Sequence, residues 1–235
     1  MQHRCLVTGG AGFLGASLVK KLLKKGYLVR VLDNESRGRK SRLSNDLNNI
    51  ELVIGDIRDP KVVEQAAEGC QSIVHMAFVN GTEFFYSKPE LVLEVGVKGM
   101  INVLDACRSQ QIGDLILISS SEVYQEPPTI PTPEDVPLII PDIHNPRYSY
   151  GGGKIISELL ALNYGRKDFE RIVIIRPHNV FGPDMGWEHV IPQFILRAHD
   201  SIQEQPNGPI NFPIQGKGTE TRSFVYIDDF TEGLA

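Results

Sequence analysis

Tyr150 stands four residues before Lys154 in the run Tyr150-Gly151-Gly152-Gly153-Lys154. On a helix that spacing puts a phenol and an ammonium on one face, one turn apart. A free phenol titrates at about 10, so it serves as a base at neutral pH only with help. A neighbouring positive charge favours the phenolate. The phenolate can then take the proton of an alcohol as hydride leaves the same carbon. Taken alone, the pair is equally an amphipathic helix with a solvated lysine.

A second motif gives the pair its meaning. Thr8-Gly9-Gly10-Ala11-Gly12-Phe13-Leu14-Gly15 follows a short apolar run and opens a leucine-rich helical pattern, the context that a dinucleotide-binding loop requires. Gly9 would make the tight turn, Gly12 would admit the pyrophosphate, and Gly15 would let the helix pack on the sheet. Phe13 and Leu14 lie in the first helical turn, whose free N–H groups and dipole suit phosphate. Asp33 ends the next strand roughly 20 residues on, where a carboxylate accepts bonds from ribose hydroxyls. That carboxylate favours NAD over NADP, and Arg37, Arg39 and Lys40 read as a solvated basic turn. Asp56-Ile57 either flanks the adenine or caps a helix from Pro60. Ser119-Ser120-Ser121-Glu122-Val123-Tyr124 closes a further strand. Its hydroxyls either bond a substrate alcohol in the crevice or simply end the strand.

The elements that must position these groups are short β-branched runs alternating with helical patterns, the mark of βαβ units. Strands are predicted at Arg4–Thr8, Leu28–Asp33, Glu51–Gly55, Ser72–Met76, Leu115–Ser119 and Arg171–Arg176. Helices are predicted at Phe13–Lys25, with Gly26 as C-cap, and at Pro60–Gly69, Pro89–Arg108 and Tyr150–Tyr164. Gln125–Pro146 carries six prolines between its ends and reads as a long surface loop. Thr221–Asp229 reads as a strand entering a helix. The fold class expected is α/β, a Rossmann-type doubly wound parallel sheet over residues 1–175. A small, incomplete C-terminal lobe fills 176–235, its last part (about 220–235) returning to the main domain.

Composition agrees with a cored globular protein: 235 residues, 41% apolar and 23% charged. A net charge of −5 gives no general attraction to nucleic acid or to anionic membrane. Cys5, Cys70 and Cys107 have neither metal nor redox spacing and read as buried thiols of a reducing compartment. His3, His144, His189 and His199 show no ligand spacing, so no metal is expected. The N-terminus has no targeting core and no apolar run reaches the roughly 20 residues of a membrane span. A cytoplasmic location is the expectation.

At these residues the chain resembles the extended short-chain dehydrogenase/reductase family, in particular its NAD-dependent nucleotide-sugar epimerases and dehydratases, of the UDP-glucose 4-epimerase kind. The resemblance runs through Thr8–Gly15, Asp33-Asn34, Gly55-Asp56-Ile57, His75-Met76-Ala77, Ser119–Tyr124, Tyr150–Lys154, Arg176–Pro183 and Thr221–Asp229. It implies Tyr150 as base, Lys154 as its electrostatic partner and ribose anchor, and Ser120 as the hydroxyl beside the sugar. It adds Asn34, Ala77 and Pro177 to the cofactor contacts. Ser121, Asn179 and Arg222 become substrate contacts, and Val190–Phe194 a helix of the substrate lobe. Three departures stand out. Gly96 replaces an asparagine near the cofactor, Phe78 replaces a small residue by the nicotinamide, and similar proteins continue past residue 235.

For the reaction, an epimerase needs Ser120, Tyr150 and Lys154 and no further acid. The family's 4,6-dehydratases carry Asp-Glu directly after the Ser/Thr, whereas here Ser121-Glu122 follows. Decarboxylases of UDP-glucuronic acid resemble Ser120–Tyr124 more closely and make Glu122 a further catalytic candidate, although Ile155 stands where they often place arginine. The order is therefore epimerase acting at C4, then decarboxylase, then dehydratase. A non-catalytic NAD-binding protein on the same fold is the alternative from another class. A homodimer is implied, with Pro89–Arg108 and Tyr150–Tyr164 packing on their symmetry mates.

Overall fold

Six parallel strands build the main sheet in the computed structural model, which describes residues 2–164, 166–214, 216–219 and 221–235. They are β1 (Arg4–Thr8), β2 (Leu28–Asp33), β3 (Ile50–Ile54), β4 (Ser72–His75), β5 (Asp114–Ile118) and β6 (Arg171–Ile175), in the order β3-β2-β1-β4-β5-β6. The order reverses between β1 and β4, where doubly wound sheets open their ligand crevice. In register, Thr8 pairs with Leu32 on one side and with His75 on the other. The carboxyl ends of these strands therefore lie level at that crevice.

The alternation along each strand divides the core between two faces. Leu6, Ile73, Leu115 and Leu117 point to one face, with α2 (Pro60–Ala67) and α5 (Gly99–Ser109), whose Val63, Ala66, Met100, Val103 and Leu104 are buried there. Cys5, Val7, Val29, Val31 and Val74 point to the other, against α1 (Phe13–Lys24) and α8 (Ile227–Leu234). On α1 the buried residues Gly15, Leu18, Val19 and Leu22 recur at helical spacing, and each large one contributes roughly 1.5–3 kcal/mol by leaving water. Gly26, at φ +86°, ends α1: its N–H bonds to Leu23 O and that of Tyr27 to Leu22 O, a Schellman pair. From α8, Ile227 and Phe230 are buried in this layer and Glu232 reaches Lys21 and Lys25.

The long helix expected at Pro89–Arg108 is three pieces: α4 (Pro89–Leu93), a π-helical turn at Glu94–Lys98, and α5. A helix α3 (Thr82–Ser87) precedes it, and α6 (Ser149–Asn163) carries Tyr150 and Lys154. The other edges differ from expectation by one or two residues. Beyond β6, β7 (Asn179–Phe181) pairs in parallel with β8 (Phe224–Tyr226), and α7 (Val190–Glu204) extends well past Phe194. No residue of α7 is buried, so Phe194, Ile195 and Ile202 face outward. Among the described residues no helix is long and apolar enough to cross a membrane, and no three His, Cys, Asp or Glu cluster as metal ligands. All three cysteines are free and buried.

Candidate functional site

Gly9, at φ +71°, turns the chain from β1 into α1, and its N–H bonds to Leu32 O at 2.8 Å. A Cβ on Gly9 would stand 2.9 Å from the backbone of Ala77, and one on Gly15 would stand 2.2 Å from Gly9 O. The loop is thus closed against β4 and α1 as tightly as glycine allows. Thr8 Oγ1 ties it to the next strand, accepting from the N–H groups of Met76 and Ala77 at 3.2 Å each. With both lone pairs so used, its proton goes to His75 Nδ1 at 2.8 Å. His75 is neutral because burial pushes its pKa down to about 3, and a proton on Nε2 would leave Nδ1 to accept from Thr8.

Asp33 lies buried beside this loop. Its Oδ2 accepts from Ala11 N–H at 2.9 Å and its Oδ1 from Glu35 N–H at 2.8 Å. Burial raises its pKa, against the pull of those two bonds. Asn34 bonds to Asp56 Oδ2 at 3.1 Å, so these two residues meet. Asp56 is not the helix cap. Asp59 caps α2 through Lys61 N–H, while the Arg58 guanidinium holds the Asp56 carboxyl down to about 2. The Ile57 side chain is buried against Gly99, which leaves its backbone as the part able to meet a ligand.

The basic turn is a correction. Arg37 is not solvated: it pairs with Glu188 and lies over the Phe84 ring at 5.1 Å. Arg42 bonds to Asp184 O at 3.1 Å and Ala11 O at 3.4 Å. The turn spans to the segment before α7, and two guanidinium groups are consumed in doing so. Arg39 and Lys40 stay exposed.

Tyr150 and Lys154 do share a face of α6, and both are buried. Tyr150 stacks on Phe85, with ring centroids 5.2 Å apart and planes 25° apart. Lys154 Nζ donates to Ile118 O at 2.7 Å and lies 5.8 Å from the Tyr150 ring centroid. The expected lowering of the phenol pKa is not the balance in this state. Burial raises Tyr150 to about 12, opposed by a hydrogen bond with Ser120, and lowers Lys154 to about 7. Desolvation penalises both charged forms, and it is the largest influence on each group.

Ser120 is the strand-end hydroxyl that meets Tyr150, and it also accepts from Glu122 N–H at 3.1 Å. Ser121 N–H bonds to Pro177 O at 2.9 Å, joining the ends of β5 and β6. Glu122 sits on the rim, 3.5 Å from Arg147. Asn179 spends its amide N–H on Ser223 O at 3.0 Å, bracing β7 to β8, and Arg222 bonds to its neighbour Thr221 O. Both lie exposed in the C-terminal part.

A buried group that motif reading passed over stands behind Lys154. Glu158 accepts from Ser119 Oγ and from Arg176, whose Nη1 also reaches Tyr124 OH at 3.0 Å. This brace fixes α6 to the ends of β5 and β6. Its one signal in sequence is that Glu158 follows Lys154 by a further helical turn.

The donor set fits NAD. The Gly9–Gly15 cradle would be filled by any Cβ, each Asp33 oxygen keeps a lone pair for a ribose hydroxyl, and the charge there opposes a 2′-phosphate. Comparisons agree. A UDP-glucuronic acid decarboxylase 1 from Xenopus tropicalis is 31% identical over 99% of this chain and 53% of its own length. A UDP-N-acetyl-alpha-D-glucosaminuronate decarboxylase from Bacillus cytotoxicus is 30% identical over 99% of this chain and 70% of its own. The chain thus spans about half the length of the first of these relatives and about seven-tenths of the second. Among solved structures, a dTDP-glucose 4,6-dehydratase of Streptomyces venezuelae with NAD bound matches with a TM-score of 0.84 at 29% identity, covering 98% of this chain and 70% of that one. A UDP-galactose 4-epimerase matches with a TM-score of 0.80 at 30% identity, over 97% and 69%. The family model for NAD dependent epimerases and dehydratases matches residues 5–235, and by that match the chain belongs to the NAD dependent epimerase/dehydratase family.

Proposed function

We propose that the chain is the cofactor-binding part of a nucleotide-sugar epimerase that oxidises a sugar hydroxyl, at C4, and then reduces the ketone from the other face. The observation that carries this is the meeting of Tyr150, Ser120 and Lys154 at the carboxyl end of β5, with β4 alone between that strand and β1, which leads into the glycine loop. NAD, when bound, supplies the hydride acceptor. Tyr150 takes the hydroxyl proton of the sugar and returns it to the ketone oxygen when the sugar is reduced. Ser120 orients that oxygen. Lys154, as ammonium, would stabilise the phenolate and hold the cofactor ribose. With its pKa raised, Tyr150 holds its proton at neutral pH, which suits the reducing half of the cycle. The oxidising half needs Lys154 charged. Gly9, Gly12, Phe13, Leu14, Gly15, Asp33, Asn34, Asp56, Ile57, Ala77 and Pro177 are assigned to the cofactor, and Ser121, Asn179 and Arg222 to the nucleotide sugar.

A second reading, decarboxylation, is favoured by the names of the relatives that match along the whole chain. Oxidation at C4 of a glucuronic acid makes a β-keto acid that loses carbon dioxide, so the same three residues would serve, with Glu122 as an added group. The full-length protein should be incubated with NAD and a panel of UDP- and dTDP-sugars, neutral and uronic, with products separated by chromatography. Epimeric neutral sugars support the first reading. A UDP-pentose with carbon dioxide would replace it by the second, and no product with any sugar despite NAD binding would sink both. Tyr150→Phe should lower turnover at least ~1,000-fold, within the range general acid–base catalysis supplies, and leave NAD affinity within about twofold.

The same reading includes a homodimer. Ile156, Leu159 and Leu162 of α6, with Tyr164 just past its end, are exposed beside Leu93 of α4, an apolar stripe suited to a symmetry mate.

A further inference from the structure

Phe78 and Gly96 are far apart in sequence, and each accounts for the other. A Cβ on Gly96 would stand 2.5 Å from Phe78 Cζ and 2.6 Å from its Cε2, and one on Gly153 would stand 3.1 Å from the same Cζ. The two glycines, one in the π-helical turn and one on α6, form a notch that the ring fills. From that notch the ring meets Tyr150 edge-on, with centroids 5.2 Å apart and planes at 83°, and Lys154 Nζ stands 4.0 Å from its centroid. We propose that Phe78 is a positioning residue, an aromatic seat that holds the Lys154 ammonium over its face and the Tyr150 ring in a T-shaped contact. The proposal rests on the reading of Tyr150 and Lys154 as the proton-moving pair.

The chemistry of the pocket gives the ring this work. Ile118 O, from β5, is a hydrogen-bond acceptor for Lys154 Nζ. Of the titratable groups around it, Glu158 on α6 is already shared with Arg176 and Ser119. His75 from β4 is neutral, and Tyr150 keeps its proton. The negative face of an aromatic ring attracts a cation most strongly where water is excluded. Phe78 therefore supports the charged state of Lys154 against its burial. The glycines matter because a side chain at Gly96 would displace the ring and one at Gly153 would crowd it.

The test reads Lys154 without substrate, so absence of turnover in the unsubstituted protein would sink the enzyme reading and leave the seat standing. In lysine-13C-labelled full-length protein, the Cε shift of Lys154, assigned by Lys154→Arg, is followed against pH. Phe78→Leu keeps an apolar filler and removes the π face. It should lower the Lys154 pKa by about one unit while thermal unfolding moves by only a few degrees. Gly96→Ala, which displaces the ring, should shift the titration in the same direction and gives a second reading if Phe78→Leu does not fold. An unchanged Lys154 titration in the folded variants, with only the unfolding temperature lowered, would reduce Phe78 to a space filler and overturn the proposal.

Discussion

His75 is held neutral between Thr8 and the buried end of β4, and its protonation is displaced to about pH 3. An unfolded imidazole takes its proton near 6.5, as about half the molecules do at that pH. Between these two values the unfolded chain binds a proton that the folded chain refuses, so stability rises with pH across that window. Read downward, acidification from about 6.5 costs up to about 1.4 kcal/mol for each pH unit from this one residue. Urea midpoints measured at several pH values should fall accordingly. His75→Asn should flatten the slope between about pH 4.5 and 6.5, since it removes the titrating group and keeps an acceptor for Thr8. An identical slope in the variant would assign the acid sensitivity to other groups.

Within the strand–loop–helix unit, two glycines have opposite grounds for being glycine. At Gly15 a Cβ would meet the Gly9 carbonyl at 2.2 Å and Gly10 Cα at 2.6 Å, both backbone atoms that cannot step aside. At Gly26 nothing lies within 4 Å, and only φ +86° resists a side chain. Gly15→Ala should therefore displace the loop and weaken NAD binding at least ~10-fold by calorimetry, with a large fall in unfolding temperature. Gly26→Ala should cost only about 1–2 kcal/mol, the strain of a left-handed residue, and leave NAD binding intact. Equal NAD affinity in both variants would contradict the loop assignment.

Elements of this kind are what the sequence makes readable. The loop, Asp33 and the six strands declare themselves because turn chemistry and alternation are local properties, and the structure places them within a residue or two of expectation. The Phe78 notch and the Glu158–Arg176 brace join residues 18 or more apart, and no local pattern marks such packing. Thr82–Ser87 is too short to show a helical period, and β7, of three residues, shows no alternation, whereas β8 and α8 fall where a strand entering a helix is expected at Thr221–Asp229. Spacing brought Tyr150 and Lys154 to one helical face, but it carried no information on burial, which decides both their pKa values.

At the scale of the whole molecule, the apolar stripe on α6 is the surface most in need of a partner. Leu159, 61% exposed, stands in its middle. Light scattering should report a dimer for the chain and a monomer for Leu159→Glu, whose charge would be buried unpaired at the interface. A monomeric mass for the unsubstituted chain would remove the dimer from the proposed function.

The three cysteines have a practical consequence. Burial pushes Cys5 up to about 11 and Cys107 up to about 12, and raises Cys70 as well. Since the thiolate is the form that reacts, all three are inert to maleimides at neutral pH while the chain is folded. One cysteine introduced at an exposed site, such as Ile143 in the proline-rich loop, would carry a fluorophore with none of the native thiols removed. Movement of that loop as cofactor or sugar binds can then be followed directly in the otherwise natural chain.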